Sequence, residues 1–475
     1  MSKQTVTTAA GSTMRGGLGG LRDVLTGSVL EPTDDDYDSA RTVWNAAIDR
    51  RPALIAQCAS PADVAAAILF AREQGFEITV RGGAHSTAGA GVADESLMID
   101  LRRMNEVRVD PEAKRARVGG GALLRDMDAA TQAHGLAVPT GLVGHTGVGG
   151  LTLGGGMGWL SRPFGLTLDN LLAAQVVTAD GRIRRAAEDE NPDLFWAIRG
   201  GGGNFGVVTA FEFQAHQVGP IVHFGLFFWP AADGREALGV MRDVIHDLPR
   251  DMNAIVACLN APPAPFVPQQ HHFVPGYALL LTGFGSAEEH AKVADDVRAR
   301  LAPLFDVETP IPYVELQQLL DEANAWGQLY YDKGTDIPNL SDDMIAVMTE
   351  QMPRRSSPLS VALGYPLGGA FCDIGQDDTA FGGTRAPHYA WVLVGVAQDP
   401  AVLAAERDWV RSFWDALQPF ALGIGSYVNL MTEFDPDRVR ASYGRAKHDR
   451  LAHIKAKYDP DNRFHHNANI KPTEN

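Results

Sequence analysis

The sequence predicts an α+β protein made of two units. From about Gly219 onward, long apolar segments alternate with amphipathic stretches of helical spacing, a pattern typical of an antiparallel sheet flanked by helices. Before that point, the expected strands are short and lie between helices and glycine-rich loops. A chain of 475 residues is also longer than one ordinary core organises. The apolar segments of the second unit are IVHFGLFFWP, MNAIVACLN, YALLLTGFG and HYAWVLVGVA, and EEHAKVADDVRARLAPL is expected to be a helix between them.

The N-terminal unit is expected to open with a loose or partly ordered arm, residues 1 to about 35, and to become ordered near Tyr37. Ser60 predicts the start of a helix, because a serine N-cap, a proline at the first helical position and the acidic Asp63 all suit a helix N-terminus. This helix is expected to end at Gly75. Further strands are expected over 76–80, 96–100, 115–119, 171–178 and 207–213, and further helices over 123–135 and after Asn191.

Composition excludes several classes of function. The net charge of −17 argues against binding nucleic acid through its phosphates. The three cysteines lie far apart and indicate a reducing compartment. The N-terminal segment lacks the apolar core of a signal peptide, and no stretch reaches the roughly 20 apolar residues that span a bilayer. We therefore expect a cytoplasmic protein without nucleic-acid or membrane partners.

His85 lies in the segment RGGAHSTAGAG, directly after the strand expected over 76–80. Glycine allows backbone N–H groups to approach a ligand closely, and a side chain at the end of a strand has a defined direction. Two further glycine-dense segments, 141–158 and 199–206, belong to the same unit. Each segment alone is readily explained by tight turns, but the three together predict a cofactor site whose backbone amides surround a pyrophosphate.

Two other interpretations are disfavoured. Gly201, Gly203 and Gly206 match GxGxxG, but a strand-like VVTAFEF follows them where a dinucleotide-binding fold requires a helix. The adjacent pairs His271-His272 and His465-His466 cannot both face one metal from regular structure without special loops. No HExxH motif or Cys/His cluster accompanies them, so we expect no metal site.

Five motifs in a fixed order resemble the FAD-linked oxidases of the vanillyl-alcohol oxidase superfamily, specifically the berberine bridge enzyme-like group. They are RPALIAQCASPADVAAAI, VRGGAHSTAGAG, GLTLGGGMGWLSRPFGLTLDN, DLFWAIRGGGGNFGVVT and a C-terminal segment with YVNL and FHHNANI. The resemblance implies a two-part FAD-binding domain of the PCMH type, formed by residues 36–218 and a berberine-bridge-like tail, 419–475. Residues 219–418 are then the substrate domain, whose antiparallel sheet covers the flavin ring.

In that family, the histidine that matches His85 is bonded to the 8α carbon of FAD, so the resemblance implies covalent attachment here. Some members add a second bond from a cysteine in the later glycine loop. Alignment of GHTGVGG with the family's CPTVGVGG places Val143 at that position, so attachment through His85 only is expected. The other residues implied to contact FAD are Arg81, Gly82, Gly83, Ala84, Ser86, Gly89, Thr140, Gly141, Gly144, His145, Thr146, Gly149, Gly150, Gly206, Val208, Tyr427, Asn429 and Asn467.

The expected reaction is an oxidation in which a C–H beside an alcohol or amine of a small organic substrate gives a hydride to FAD, with O2 as final acceptor and H2O2 as product. Tyr427, in SYVNL, is the candidate base, since the resemblance places a tyrosine of this motif near the flavin and a phenol with a tuned pKa accepts a proton. A packing or hydrogen-bonding role for Tyr427 is equally open. Relatives often read YxNY, whereas Leu430 stands here, and Tyr365 is a second candidate base.

Two other classes of function stay open at this point. One is a dehydrogenase of the same fold that uses another electron acceptor, and the other is a flavin-retaining binding protein without turnover. We expect a monomer or homodimer. Six aromatic residues either line a pocket for a flat or hydrophobic substrate or belong to the core; they are Phe227, Phe228, Trp229, Trp326, Tyr330 and Tyr331.

Overall fold

The computed structural model describes residues 18–473, and its first sheet has four short strands. They are β1 (Ser28–Leu30), β2 (Leu54–Gln57), β3 (Ile78–Arg81) and β4 (Leu97–Asp100), in the order β1-β2-β4-β3. Strands β2, β4 and β3 run parallel, and β1 is an antiparallel edge strand. Strand β3 leads directly into the loop of His85, so this sheet fixes where that loop starts.

The second sheet is antiparallel and has the order β5-β6-β10-β8-β9. Its strands are β5 (Val107–Asp110), β6 (Arg115–Gly119), β8 (Leu171–Val177), β9 (Ile183–Ala187) and β10 (Val207–Gln214). A separate two-residue pair joins β7 (Leu136–Ala137) to β11 (His216–Gln217). The segment after the GxGxxG match is therefore the central strand β10, which confirms that a dinucleotide-binding helix does not follow those glycines.

The third sheet is antiparallel, has seven strands, and is built entirely from the middle of the chain. Its order is β15-β12-β14-β13-β17-β18-β16. Its strands are β12 (Ile221–Pro230), β13 (Met252–Asn260), β14 (Pro275–Gly283), β15 (Phe305–Pro312), β16 (Leu329–Ile337), β17 (Val361–Leu367) and β18 (His388–Ala397). The four apolar segments noted in the sequence form β12, β13, β14 and β18, so the predicted antiparallel sheet is confirmed.

Helices begin and end at capping residues where the sequence contains them. The Ser60 hydroxyl accepts a hydrogen bond from the Asp63 amide at 3.2 Å, and Gly75 ends α3 in the left-handed conformation (φ +79°). The helices are α1 (Leu18–Val24), α2 (Tyr37–Arg41), α3 (Pro61–Gln74), α4 (Leu124–Gln132), α5 (Val148–Gly154), α6 (Ser161–Phe164), α7 (Pro192–Ile198), α8 (Gly234–His246), α9 (Ala287–Arg300), α10 (Tyr313–Gln318), α11 (Asp342–Gln351), α12 (Pro400–Leu417), α13 (Pro436–Tyr443) and α14 (Arg445–Tyr458). Within residues 18–473, none of them combines the length and apolar character needed to cross a bilayer.

Of the two alternatives for the arm, residues 18–35 correspond to the partly ordered one, whereas residues 1–17 lie outside the described part of the chain. Helix α1 and strand β1 form within the arm. Leu21 in α1, Leu25 directly after it and Val29 in β1 are buried in the same core as α3.

The two faces of the seven-stranded sheet have different neighbours. Helices α8, α9, α11 and α12 pack on one face, where Phe227 and Trp229 are fully buried. Trp159 and Leu160 of the glycine-rich unit pack on the other face, together with α10. The C-terminal helix α14 packs on the N-terminal unit, because Leu451 shares a core with α7 and β10. The exact boundaries at residues 218 and 418 stay predictions.

Candidate functional site

A cavity of about 430 Å³ lies where the N-terminal unit, the C-terminal tail and the seven-stranded sheet meet. Its volume is in the ordinary range of small-molecule sites. We call it the central cavity and define it by the residues that line it. Of the predicted catalytic and cofactor-binding residues, those in its wall are Gly82, Gly83, Ala84, His85, Ser86, Gly141, Thr146, Gly149, Gly150, Gly206, Val208, Tyr365, Tyr427, Asn429 and Asn467.

The His85 ring is held in the cavity wall by its neighbours. It stacks on Trp44 with ring centroids 4.3 Å apart, and Trp44 stacks in turn on Tyr330 at 3.7 Å. The His85 Nε2 atom lies 3.0 Å from Nδ1 of His145. Burial, together with the neighbouring His145 ring, lowers the pKa of His85 to about 3. The His85 imidazole is therefore neutral at physiological pH, which is the nucleophilic form.

The two glycine loops approach each other so closely that side chains are excluded between them. A Cβ atom on Gly83 would lie 2.2 Å from the backbone nitrogen of Gly147, and one on Gly147 would lie 2.3 Å from that of Gly83. The residue before His85, Ala84, has a left-handed backbone (φ +55°), a conformation that costs energy for a residue other than glycine. Close contact between the loops thus fixes the backbone from which His85 projects.

Replacing Gly83 by alanine is expected to lower the thermal unfolding temperature, because the backbone atoms that meet the new Cβ cannot move aside without separating the two loops. Gly239→Ala is the matched control. It lies inside α8, away from the cavity, and a Cβ there would meet only the far end of the Arg242 side chain at 4.0 Å, so its unfolding temperature should be unchanged or higher. Scanning calorimetry measures both, and equal effects of the two substitutions would contradict the close-contact interpretation.

Tyr427 also lines the cavity and is held through its hydroxyl oxygen. That oxygen accepts one hydrogen bond from the Gly156 amide at 2.6 Å and one from Asn429 Nδ2 at 2.8 Å. Asn429 Nδ2 also donates to the Leu151 carbonyl, which ties the pair to α5. Burial raises the pKa of Tyr427 to about 12, although both hydrogen bonds oppose the shift. Because neither bond uses the phenolic proton, that proton is free to exchange with a ligand.

The sheet contributes one wall from three adjacent strands. Leu363 on β17 pairs with Val392 on β18, and Val394 on β18 pairs with Asp332 on β16. These residues line the cavity together with Tyr365, two positions along β17 from Leu363 and hence on the same face. Burial and the nearby Tyr427 raise the pKa of Tyr365 well above its ordinary value. Asp332 accepts a hydrogen bond from Thr87 at 2.7 Å, which links this wall to the His85 loop.

Five of the predicted cofactor contacts do not line the cavity, and their side chains or amides have other partners. The Arg81 guanidinium donates to the carbonyls of Ala40 and Thr42. Gly89 packs against the Ile48 side chain. The strand end and the turn that leaves the loop therefore face the protein, and a contact of these two residues with FAD stays a prediction.

The other three lie behind the second loop. The Thr140 hydroxyl accepts from Gln317, and the Gly144 amide donates to Asp321 at 2.6 Å. His145 reaches His85 from behind, so it contacts the predicted cofactor-binding histidine and not the cavity. A glycine-rich loop in the sequence does not show whether a residue in it contacts a ligand or contacts other protein residues behind the ligand site.

Of the two alternatives left open for the six aromatic residues, five of them correspond to the core. Phe227, Phe228, Trp229, Tyr330 and Tyr331 are buried in packed clusters, and none lines the central cavity. The sixth, Trp326, is 40% exposed and borders a neighbouring cavity behind the His85 loop. Both faces of this sheet are covered, so apolar alternation does not reveal which face meets the ligand.

Sequence analysis missed three contributors. Trp44 sits before the first glycine loop, Asp332 lies in a strand that no apolar run marks, and Gly156 donates to Tyr427 from the second glycine segment. The only signal for Gly156 was the run of three glycines, which ends α5 with positive φ at Gly155 and Gly156. These contacts join residues up to 271 positions apart, so local patterns do not show them.

Comparison with known proteins gives the same picture. The profile of the FAD binding domain family matches residues 52–187, and that of the family described as berberine and berberine like matches residues 426–471. The chain is 30% identical to (R)-6-hydroxynicotine oxidase of Paenarthrobacter nicotinovorans over 458 residues, which cover 94% of this chain and 97% of that protein.

Solved structures agree with this match. The crystal structure of 6-hydroxy-D-nicotine oxidase from Arthrobacter nicotinovorans has a TM-score of 0.84 at 26% identity and covers 94% of this chain and 98% of that one. Glucooligosaccharide oxidase from Acremonium strictum, described with a 6-S-cysteinyl, 8α-N1-histidyl FAD, has a TM-score of 0.81 at 24% identity, with coverage of 94% and 98%.

The fold is that of the PCMH-type FAD oxidases, and its cavity lies between the matched FAD-binding residues and the antiparallel sheet. The protein is thus an enzyme of the FAD-linked oxidoreductase class. The chain belongs to the berberine bridge enzyme-like family within that class.

Proposed function

We propose that this enzyme is an oxidase that holds FAD covalently through His85 and uses Tyr427 as the base. The observation that carries the proposal is that both side chains stand in the wall of one cavity, His85 as a neutral imidazole and Tyr427 with an uncommitted phenolic proton. When bound, FAD would supply a two-electron acceptor for the hydride of a substrate C–H, with O2 as the final acceptor and H2O2 as the product.

The residues of the central cavity fit FAD. Gly150 presents bare backbone to the cavity, since a Cβ there would meet no described atom within 4 Å. The buried side-chain oxygen of Asn467 has no hydrogen-bond partner among residues 18–473, as expected of a group that awaits a ligand. The amides of Gly82, Gly83 and Gly149 and the Asn467 side chain are the groups that we propose hold the cofactor.

Attachment through His85 alone is supported by the positions of the cysteines. Cys58 and Cys258 are buried in hydrophobic cores, and Cys372 does not line the cavity. Val143, at the position that the family's cysteine would occupy, does line it. Because His145 occupies Nε2 of His85, we propose that Nδ1 is the nitrogen that forms the bond.

Tyr427 is the better placed of the two candidate bases. Two donated hydrogen bonds fix its oxygen and stabilise the phenolate that accepts a proton from the substrate O–H or N–H. Tyr365 is close enough for the charge of one hydroxyl to raise the pKa of the other. We propose that Tyr365 binds and orients the substrate, whose apolar part rests on Leu363, Val392 and Val394.

The proposal also covers the cellular compartment and the substrate class. The free thiols of all three cysteines are typical of a reducing compartment, and we propose the cytoplasm. The relatives include oxidases of hydroxynicotine and of glucooligosaccharides, so cyclic amines and oligosaccharides are the first compounds to test.

A screen of cyclic amines and oligosaccharides in air is expected to find a compound that bleaches the flavin and releases one H2O2 per turnover. The measurement is peroxide release, followed by stopped-flow reoxidation of the substrate-reduced enzyme in air. Fast recovery of the flavin colour supports an oxidase. Bleaching with slow recovery in air, but fast recovery with an artificial acceptor, would instead make the enzyme a dehydrogenase.

A further inference from the structure

Glu77, His465 and His466 converge in the wall of the central cavity and just behind it, and the proposed function uses none of the three. The His465 Nε2 atom lies 2.9 Å from the Glu77 carboxylate, and the His466 Nε2 atom lies 3.6 Å from the same oxygen. One ligand atom from each of the three residues lies within 4.8 Å of the other two. Both histidines line the cavity, beside Asn467.

The hydrogen bonding of His465 fixes which ring nitrogen faces the carboxylate. Its Nδ1 atom lies 2.7 Å from the Asn462 carbonyl, which only accepts, so Nδ1 carries the proton. In the neutral ring, Nε2 therefore presents a lone pair to a carboxylate oxygen 2.9 Å away. Two acceptors at that distance repel each other unless a cation, either a proton or a metal ion, lies between them.

His466 adds a second ring nitrogen to the group. Its Nε2 atom is buried and makes no hydrogen bond to any residue of 18–473. Buried polar atoms are nearly always hydrogen-bonded, so an unpaired Nε2 at this position is expected of an atom that binds a ligand.

We infer that Glu77, His465 and His466 form a binding site for a divalent transition-metal ion such as Zn²⁺. A tetrahedral ion with ligand bonds near 2.0–2.2 Å holds its ligand atoms roughly 3.4 Å apart. The spacings here lie around that value, so small side-chain rotations close the site. Two imidazoles and one carboxylate suit zinc, and the His465–Asn462 bond is the outer contact that orients such a ligand.

The local backbone explains how adjacent histidines reach one ion. In a helix or strand, adjacent histidines cannot both face one metal ion, which was the sequence argument against a metal site. Residues 463–470, however, form neither helix nor strand. Glu77 contributes from the residue before β3, which sequence analysis did not connect to this pair. An ion here would join the C-terminal tail to the strand that leads into the His85 loop, and so would brace two walls of the cavity.

The test uses the full-length, flavin-loaded protein without a histidine tag, stripped of metal and titrated with ZnCl2 by calorimetry. We expect one Zn²⁺ per chain and a rise in unfolding temperature. Glu77→Gln, His465→Gln and His466→Gln should each weaken binding by at least about tenfold. The control is His246→Gln, which removes an exposed histidine whose Nδ1 lies 2.8 Å from Asp247 and should leave binding unchanged.

Far-ultraviolet circular dichroism and flavin absorbance establish that each variant is folded. If the wild-type protein takes up no zinc at neutral pH, the cation between His465 and Glu77 is a proton only and the inference is overturned. It is equally overturned if the three variants bind zinc as tightly as the wild type does. The flavin attachment is measured separately, so neither outcome bears on the proposed oxidase function.

Discussion

Replacement of Tyr427 by phenylalanine is expected to slow substrate-dependent flavin reduction by roughly 10²–10⁴-fold, the usual contribution of a positioned general base. The substitution removes only the hydroxyl that accepts from Gly156 and Asn429. Anaerobic stopped-flow absorbance measures the reduction rate with any substrate that the peroxide screen identifies. Flavin content, read from the visible spectrum, should stay at the wild-type level, because His85 and not Tyr427 holds the cofactor.

The pH dependence of this step follows from the pKa of Tyr427. Only the phenolate accepts a proton, and burial places the pKa at about 12. The active fraction therefore grows as pH rises toward the pKa, by about tenfold per pH unit, and is lost as pH falls. The wild-type reduction rate should rise across the alkaline range, and Tyr427→Phe should remove this rise.

Two further variants make the result specific. Tyr37→Phe also removes a buried tyrosine hydroxyl, which donates to the Pro52 carbonyl away from the cavity, and should leave the reduction rate unchanged. Tyr365→Phe should raise KM more than it lowers kcat, as expected of a residue that orients the substrate. A Tyr427→Phe enzyme as fast as the wild type, with a slow Tyr365→Phe enzyme, would assign the base to Tyr365 instead.

Replacement of His85 by alanine is expected to abolish covalently bound flavin altogether. After acid precipitation, the wild-type pellet should be yellow and the variant pellet colourless, since no described cysteine lines the cavity and the other two histidines in its wall, His465 and His466, face Glu77. FAD should still bind reversibly through the glycine loops, and added FAD should restore part of the colour to the native variant.

The control for this experiment is His134→Ala, which removes an exposed histidine at the end of α4 and should leave the pellet yellow. Covalent flavin in the His85→Ala protein would show that another residue makes the bond. Val143→Cys offers a complementary test, because it restores a thiol to the cavity wall at the position of the family's second attachment.

Much of the fold could be predicted from the local sequence. Ser60, Pro61 and Gly75 mark both ends of α3 by capping alone, and the long apolar runs became strands of the seven-stranded sheet. Those runs did not reveal which side chains meet the cavity. Phe227 and Trp229 point to the helices, because a sheet covered on both faces carries apolar residues on each.

The candidate site was predictable where one segment supplies both backbone and side chain, as in the His85 loop. It was not predictable where partners come from distant segments. Tyr427 depends on Gly156, and His465 depends on Glu77, in each case through one contact that only the assembled fold creates. His145 is the reverse case. Its glycine-rich setting suggested a cofactor contact, whereas in the structure it lies behind the His85 ring and contacts that ring.

The central claim is that His85 alone holds the flavin, and mass spectrometry of a tryptic digest tests it most directly. Cleavage after Arg81 and Arg102 releases residues 82–102, which contain His85 and no other histidine. We predict one flavopeptide, with this sequence and with the mass of FAD or of its hydrolysis product FMN attached at His85. A flavin on any other residue, or a digest without any flavopeptide, would contradict the account.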